Sequence, residues 1–600
     1  MKKLIELTKG NRLLYVVAIL AIAVATFIAM LEPIVIKVTI DSVLGNKPID
    51  LPELPQKLIM LVGGKEVLLR NLWICALSLV ILTCIRGIFL FLSGNFSARA
   101  AENIARNIRV RIYDHIQNLP YEYHVKAESG DLIQRCTSDV ETVRKFFATQ
   151  MVEIGRAFFI VAFAIIMMLS LNKKMTIIAM VIVPIIFIFS YVFFYKIKKT
   201  FEKSDAQEGV LTTVLQENLS GARVVKAFGR QNFEIEKYEK ENKRYRDLNF
   251  KLVKLESIYW STSDILCMTQ IGLVLVLGIY FAVNGEISLG TLVVFNTYEG
   301  MLLWPVRQLG RVLTDMGKMA VSLKRITKIL DVQVEQEHGK ALKSEIKGVI
   351  SFENVNFEYE KGNEVLRDIT FKVQEGETVA IVGPTGSGKS TLVHLLLRLY
   401  DYTSGSIKVD GVELKDIERK HMRSNIGIVL QEPFLYSRTI KENIKMAKMH
   451  SEDIEIYSAA NVAAVHDVIM TFEKGYDTIV GEKGVTLSGG QRQRVAIART
   501  LISDMPILIF DDSLSSVDTE TDRVIRGELK KKSENNTTFI ISHRISTVMN
   551  ADKIIVLNHG KIEAIGTHET LIEKYGIYKR IWEIQTSIDD LLDESQVSYE

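Results

Sequence analysis

Two short stretches of the chain carry side chains whose types and spacing suit phosphate chemistry. The first is Gly383-Pro384-Thr385-Gly386-Ser387-Gly388-Lys389-Ser390-Thr391, which fits the pattern GxxxxGK[ST]. Glycines there let backbone N–H groups close on phosphate, Lys389 is placed to reach β- and γ-phosphates, and Ser390 to ligate Mg²⁺. Residues 378–382 ahead of it read as a buried strand and those after it as a helix, whose N-terminal dipole adds to the anion site. The second stretch is Leu487-Ser488-Gly489-Gly490-Gln491, followed by a helical run to Leu501. Its serine and glycines also stand where a helix starts, so its N–H groups form a second anion site. With one nucleotide per GxxxxGK[ST] loop, this second site is best explained as completing a partner's.

Two more apolar runs end in polar residues. Residues 507–510 lead into Asp511-Asp512, and residues 537–541 into Ser542-His543. Open α/β sheets bind ligands at the carboxyl ends of their strands. Asp511 is suited to hold Mg²⁺ through water, and His543 could reach a γ-phosphate.

The elements that must position these residues divide the chain in two. At 600 residues it is long enough for about three or four domains. A composition 48% hydrophobic and 24% charged excludes disorder and low-complexity architectures. Residues 1–330 carry 41 Lys and Arg against 28 Asp and Glu, and they hold every long apolar run. Six runs, near 13–40, 68–92, 151–171, 175–195, 265–283 and 289–306, approach or exceed the roughly 20 residues that cross a bilayer. Basic residues before the first run, after the second and after the fourth predict cytoplasmic termini. The first run is too long for a signal-peptide core, so neither a cleaved leader nor a preceding peptidase-like domain is expected. A proline-free helical pattern over 68–118, and helical patterns over 175–228 and 233–283, predict helices that project well beyond the membrane; 51 helical residues would measure about 75 Å. Glu32, Arg86, Glu153, Arg156, Asp264 and Glu299 fall in or near the spans. Such groups either pair between helices or face a polar cavity, in which case Glu32, Asp264 and Glu299 would favour a cationic or amphipathic ligand. Cys75, Cys84, Cys136 and Cys267 read as buried small apolar residues with no disulfide to make.

Residues 331–348 are polar and read as a linker, and short β-type runs then alternate with helices as in an α/β domain. This second half is acidic, with 33 Lys and Arg against 43 Asp and Glu over 331–600, which excludes nucleic acid as a natural partner. The expected architecture is an α-helical six-span transmembrane domain (1–330) with long cytoplasmic helical extensions. The linker (331–348), an α/β P-loop ATPase domain with a helical subdomain (349–585) and an acidic tail (586–600) follow.

The sequence LSGGQ about 100 residues after GPTGSGKST, with DD and SHR beyond it, resembles the ATPase domain of ABC transporters. Six spans ahead of it resemble the exporter type in which both domains share a chain. The resemblance implies ATP and Mg²⁺ as cofactors, and a dimer in which each ATP lies between one chain's GxxxxGK[ST] loop and the other's LSGGQ. It further implies that Tyr359 stacks on adenine, that Gln431 senses Mg²⁺ and couples to the membrane domain, and that Glu482 touches the intracellular helices. Ser515 to Asp518 would form the loop crossing the dimer interface, with Asp518 facing the partner's ATP. Segments near 121–130 and 212–219 would be the two coupling helices.

One departure stands out. Where the family has the glutamate that orients the attacking water, this chain has Asp512, whose stem is one methylene shorter, about 1.5 Å; a misplacement of about 1 Å can cost about 100-fold in rate. This resembles the degenerate half of heterodimeric bacterial multidrug exporters. The expected function is ATP-driven export of amphipathic molecules, drugs or lipids across the cell membrane. The chain would be paired with a different half-transporter, with its own site slow. A homodimeric drug or lipid exporter and a nucleotide-binding regulatory subunit without turnover are the alternatives.

Overall fold

The computed structural model describes residues 10–45, 47–48, 64–337, 340–481, 486–513, 519–532, 536–574 and 576–586. Glu482, the loop holding Ser515 to Asp518, and the tail from 587 onward lie outside them. The chain forms two compact units, one of residues 1–118 and 127–332, the other of residues 333–600 together with 119–126.

The first unit is helical. Helix α1 (Arg12–Val38) continues through a wider turn to Leu44, and α2 (Trp73–Gln117) follows. A short helix α3 (Tyr121–Lys126) belongs to the second unit. Further turns lead into α4 (Met151–Leu171), and α5 (Val183–Ser220), α6 (Ala222–Ala227), α7 (Gln231–Val283) and α8 (Leu289–Leu330) complete the set. Among the described residues, five helical stretches are long and apolar enough to cross a membrane: 12–44, 73–117, 129–171, 173–220 and 231–283. Helix α8 covers the sixth expected run, where Asn296, Thr297 and Glu299 dilute its apolar character.

The long extensions are present, with corrections. The second span begins at Trp73, because Asn71 ends the helix Gly64–Arg70 by turning its side-chain amide onto the Val67 carbonyl at 3.2 Å. The fourth is interrupted between Lys173–Met180 and α5, where Pro184 opens the new helix. Residues 212–219 are the last turns of α5 rather than a separate coupling helix. Gly221 stops α5, and the short helix is α6.

Small residues on α2 let helices approach closely. Ser93 donates to the Ala18 carbonyl at 2.9 Å and Ser97 to the Ala148 carbonyl at 2.9 Å, beside Ala100, Ala101, Ile104 and Ile108. The ionisable groups of the spans mostly pair: Arg86 with Glu32 at 2.9 Å, Arg156 with Glu153 at 3.5 Å, Arg307 with Asp264 at 2.7 Å. Glu299 is 1% exposed and lies against Gln270. All four cysteines are free thiols, yet only Cys267 is buried; Cys84 is exposed. The outer half of α2 shows Leu77, Val80, Ile81 and Ile88 to its surroundings, so a cysteine there is an apolar surface residue.

The second unit has two sheets. One is antiparallel, in the order β2-β1-β4-β5, from β1 (Ile350–Glu360), β2 (Asn363–Val373), β4 (Ser404–Val409) and β5 (Val412–Glu413). The other runs β10-β9-β3-β8-β7-β6, from β3 (Thr378–Val382), β6 (Ile426–Val429), β7 (Ile507–Asp511), β8 (Thr537–Ile541), β9 (Lys553–Asn558) and β10 (Lys561–Gly566). All its pairings are parallel except β9 with β10. Strands β3, β7 and β8 are near-continuous apolar runs because both faces are covered. Phe352, Phe371, Ile381, Ile407, Ile509 and Ile541 share a core with α9 (Lys389–Leu396). A separate helical core gathers Ile440, Ile456, Ile469 and Tyr476 around α10 (Gly489–Leu501). The expected linker is docked on this unit: Glu335 pairs with Arg423 at 2.7 Å, and Arg419 donates to the Gln336 carbonyl at 2.8 Å.

Candidate nucleotide site

The parallel order puts β7, β8 and β3 side by side, so Asp511, Ser542 and Gly383 leave the sheet at one edge. Gly386 and Gly388 have φ +80° and +98°, a region closed to most side chains. At Gly383 a Cβ would lie 2.2 Å from the Leu557 carbonyl oxygen, and at Gly388 2.6 Å from Leu366 Cδ2. The loop's curvature therefore demands glycine. Within it, Ser387 Oγ is buried without a hydrogen-bond partner among the described residues, a hydroxyl that a phosphate oxygen would satisfy.

Lys389 is 7% exposed and folds back, donating to the carbonyls of Gly383 and Pro384 at 2.9 Å each. Burial lowers its pKa, opposed by the carboxylates of Asp511 and Asp512. A buried ammonium hydrogen-bonded to neutral carbonyls is poised for a stronger anionic partner. Ser390 Oγ donates to Asp511 Oδ1 at 3.2 Å. Burial raises the Asp511 carboxyl above its ordinary range, countered first by that hydrogen bond. Ser390, Asp511 and Gln431 offer oxygen donors, the set a hard divalent cation takes. Mg²⁺ fits here, and once bound it would neutralise phosphate charge.

Asp512 stands just past β7 with φ +45°, its N–H donating to the Ile541 carbonyl at 2.8 Å. Its Oδ2 accepts from Gln431 Nε2 at 3.3 Å, so structure brings together these two residues singled out by sequence. Gln431 follows β6 and is exposed. His543 is also exposed, just beyond β8, and its carbonyl accepts from Gln585 Nε2 at 2.6 Å.

Tyr359, near the end of β1, is 38% exposed, and its hydroxyl lies 3.1 Å from Thr391 Oγ1. Its ring meets Phe357 and Tyr400 edge-on at 4.7 and 4.9 Å. The ring expected to stack on adenine is thus tied to the helix that follows the 383–391 loop. Sequence reading missed Tyr400 and His394, which pack beside it; an aromatic two residues past Arg398 was the signal available.

Ser488 caps α10. Its Oγ accepts from the Gln491 N–H at 3.2 Å, while Gln491 Oε1 accepts from the Ser488 N–H at 2.9 Å. This capping box uses Ser488 Oγ as acceptor and leaves its O–H able to donate. Gln493, also missed, ties the helix to the strand side through the Leu430 carbonyl at 3.2 Å. The phosphate loop and the start of α10 rest on different cores.

The chain matches the family described as ABC transporter transmembrane region over residues 15–306, and the family described as ABC transporter over residues 366–515. It is 35% identical to YgaD of Bacillus subtilis (strain 168) across 82% of this chain and 85% of that protein, whose name provisionally reads multidrug export ATP-binding/permease protein. It is 33% identical to YknU of the same organism, named an uncharacterized ABC transporter ATP-binding protein, across 96% of this chain and 95% of that one. The solved structure of a bacterial Atm1-family ABC exporter with ATP bound superposes with a TM-score of 0.79 at 26% identity, covering 96% and 99% of the two chains.

Proposed function

Because the chain belongs to the ABC transporter family, with a helical transmembrane region and an ATPase domain on one polypeptide, we propose that it is one half of a heterodimeric exporter. Its cargo is amphipathic small molecules, drugs or lipids, and its own ATP site hydrolyses slowly. Both termini and the ATPase domain are cytoplasmic, and six spans cross the cell membrane. The observation that carries the asymmetry is Asp512. Its carboxylate is tied to Gln431 at 3.3 Å on a backbone turned back toward β8. A side chain one methylene shorter than glutamate, and held this way, falls short of the water it must orient.

In this reading the 383–391 loop and Lys389 hold the phosphates, Tyr359 holds the adenine, and Ser390 and Asp511 would hold Mg²⁺. The Ser488 hydroxyl and the first N–H groups of α10 face the partner's ATP, as Asp518 would. ATP binding draws the two ATPase domains together and turns the membrane cavity outward; hydrolysis, mainly at the partner's site, resets it.

The test is gentle purification from the native membrane, identification of any companion chain, and ATP turnover with and without it. A second ABC half carrying Asp-Glu at the matching position, with turnover only in the pair, is the expected result. A lone chain that dimerises with itself and hydrolyses well would favour the homodimer, a reading the retained His543 supports. A pair that binds ATP and moves no amphipathic probe would refute the export claim.

A further inference from the structure

The second unit contains a cavity of about 430 Å³ beside Tyr359. One wall comes from α3, with Tyr121 and Glu122; the other comes from Tyr359, Asn363, His394 and Tyr400. The rings form one chain: Tyr359 meets Tyr400 edge-on at 4.9 Å, Tyr400 meets Tyr121 edge-on at 5.7 Å, and Tyr121 lies 5.9 Å from His394. His394 Nδ1 is buried at this wall without a hydrogen-bond partner among the described residues. Glu122 is oriented by Lys126 at 2.8 Å and keeps accepting capacity. Aromatic faces with a carboxylate and an amide at the edge are the chemistry that holds a heteroaromatic base by its face and reads its rim. A carboxylate accepts from an exocyclic amine such as adenine's and repels a carbonyl at the same place, as in guanine.

We propose that α3 completes the base-binding end of the nucleotide site, with Tyr121 closing the aromatic wall and Glu122 selecting an amino purine over an oxo purine. The inference rests on the reading of Tyr359 as the base-stacking ring.

The experiment is equilibrium binding of ATP, GTP and inorganic tripolyphosphate to the full-length protein in detergent, by displacement of a fluorescent nucleotide. Tyr121→Ala should weaken ATP about 10-fold and leave tripolyphosphate unchanged, with Tyr121→Phe restoring ATP. Glu122→Gln should shrink the preference for ATP over GTP several-fold without moving tripolyphosphate. Equal weakening of all three ligands would mean that α3 only braces the domain and would overturn the proposal, as would unchanged ratios in both variants. A wild-type protein that binds tripolyphosphate as well as ATP would instead refute the stacking reading of Tyr359 itself.

Discussion

The two helix starts proposed to meet phosphate, at α9 and at α10, are built in opposite ways. The first is enclosed by its own chain. Gly388 is left-handed and wedged against Leu366, and Lys389 is buried over its own loop. The second lies open. Gly489 opens α10 with ordinary backbone, and a Cβ there would meet nothing within 4 Å among the described residues. This fold does not need glycine at that place, and glycine in a helix is about 1 kcal/mol worse than alanine. The difference teaches that the first start is shaped by its own chain, whereas the second leaves the open space that the proposed partner's ATP would need.

The largest expected effect lies on the open side. In the assembled pair, Ser488→Ala removes a donor to the partner's ATP and should lower turnover about 100-fold. Gly489→Ala should lower it comparably by blocking close approach while leaving the melting temperature equal or higher; a variant that instead melted earlier would show that the glycine serves this chain's own fold. Next, Asp512→Glu should raise hydrolysis at this chain's own site about 10- to 100-fold, read as single-site turnover with the partner's site disabled. No change would dismiss reach as the limit. Tyr359→Ala should weaken ATP about 10-fold and leave tripolyphosphate alone.

The smallest effect concerns Asp511. Its carboxyl is raised by burial, so the folded protein holds that proton more tightly than the unfolded chain does. Ionising it at higher pH therefore costs stability, and the cost vanishes below the unfolded value. Asp511→Asn should raise the melting temperature at pH 8, with a gain that shrinks as the pH falls, even though Mg²⁺-dependent hydrolysis is lost. A gain independent of pH would point to packing rather than charge.

What was legible in the sequence follows from the same contrast. The phosphate loop could be read because a fixed ring of N–H groups needs glycine at fixed spacing, and Gly386 and Gly388 have the positive φ this demands. Strands β3, β7 and β8 could be read because burial on both faces makes them near-continuous apolar runs, with polar residues only at their ends. Sheet order could not, since β3 lies between β8 and β9, strands more than 150 residues away in the chain. The short helix α6 was misplaced at 212–219 because the helical pattern gives no stop before Gly221. The pairing of Arg307 with Asp264 and the meeting of Tyr121 with Tyr400 are long-range contacts that depend on helix rotation, which spacing along one helix does not fix.

The most direct measurement sets the two starts against each other in the purified, assembled exporter: ATP turnover of Lys389→Ala beside that of Ser488→Ala. If this chain's own site is slow and its α10 serves the partner, Ser488→Ala nearly abolishes turnover and Lys389→Ala leaves a substantial part of it. Loss of equal depth in both would contradict the asymmetric account and make the chain an ordinary catalytic half.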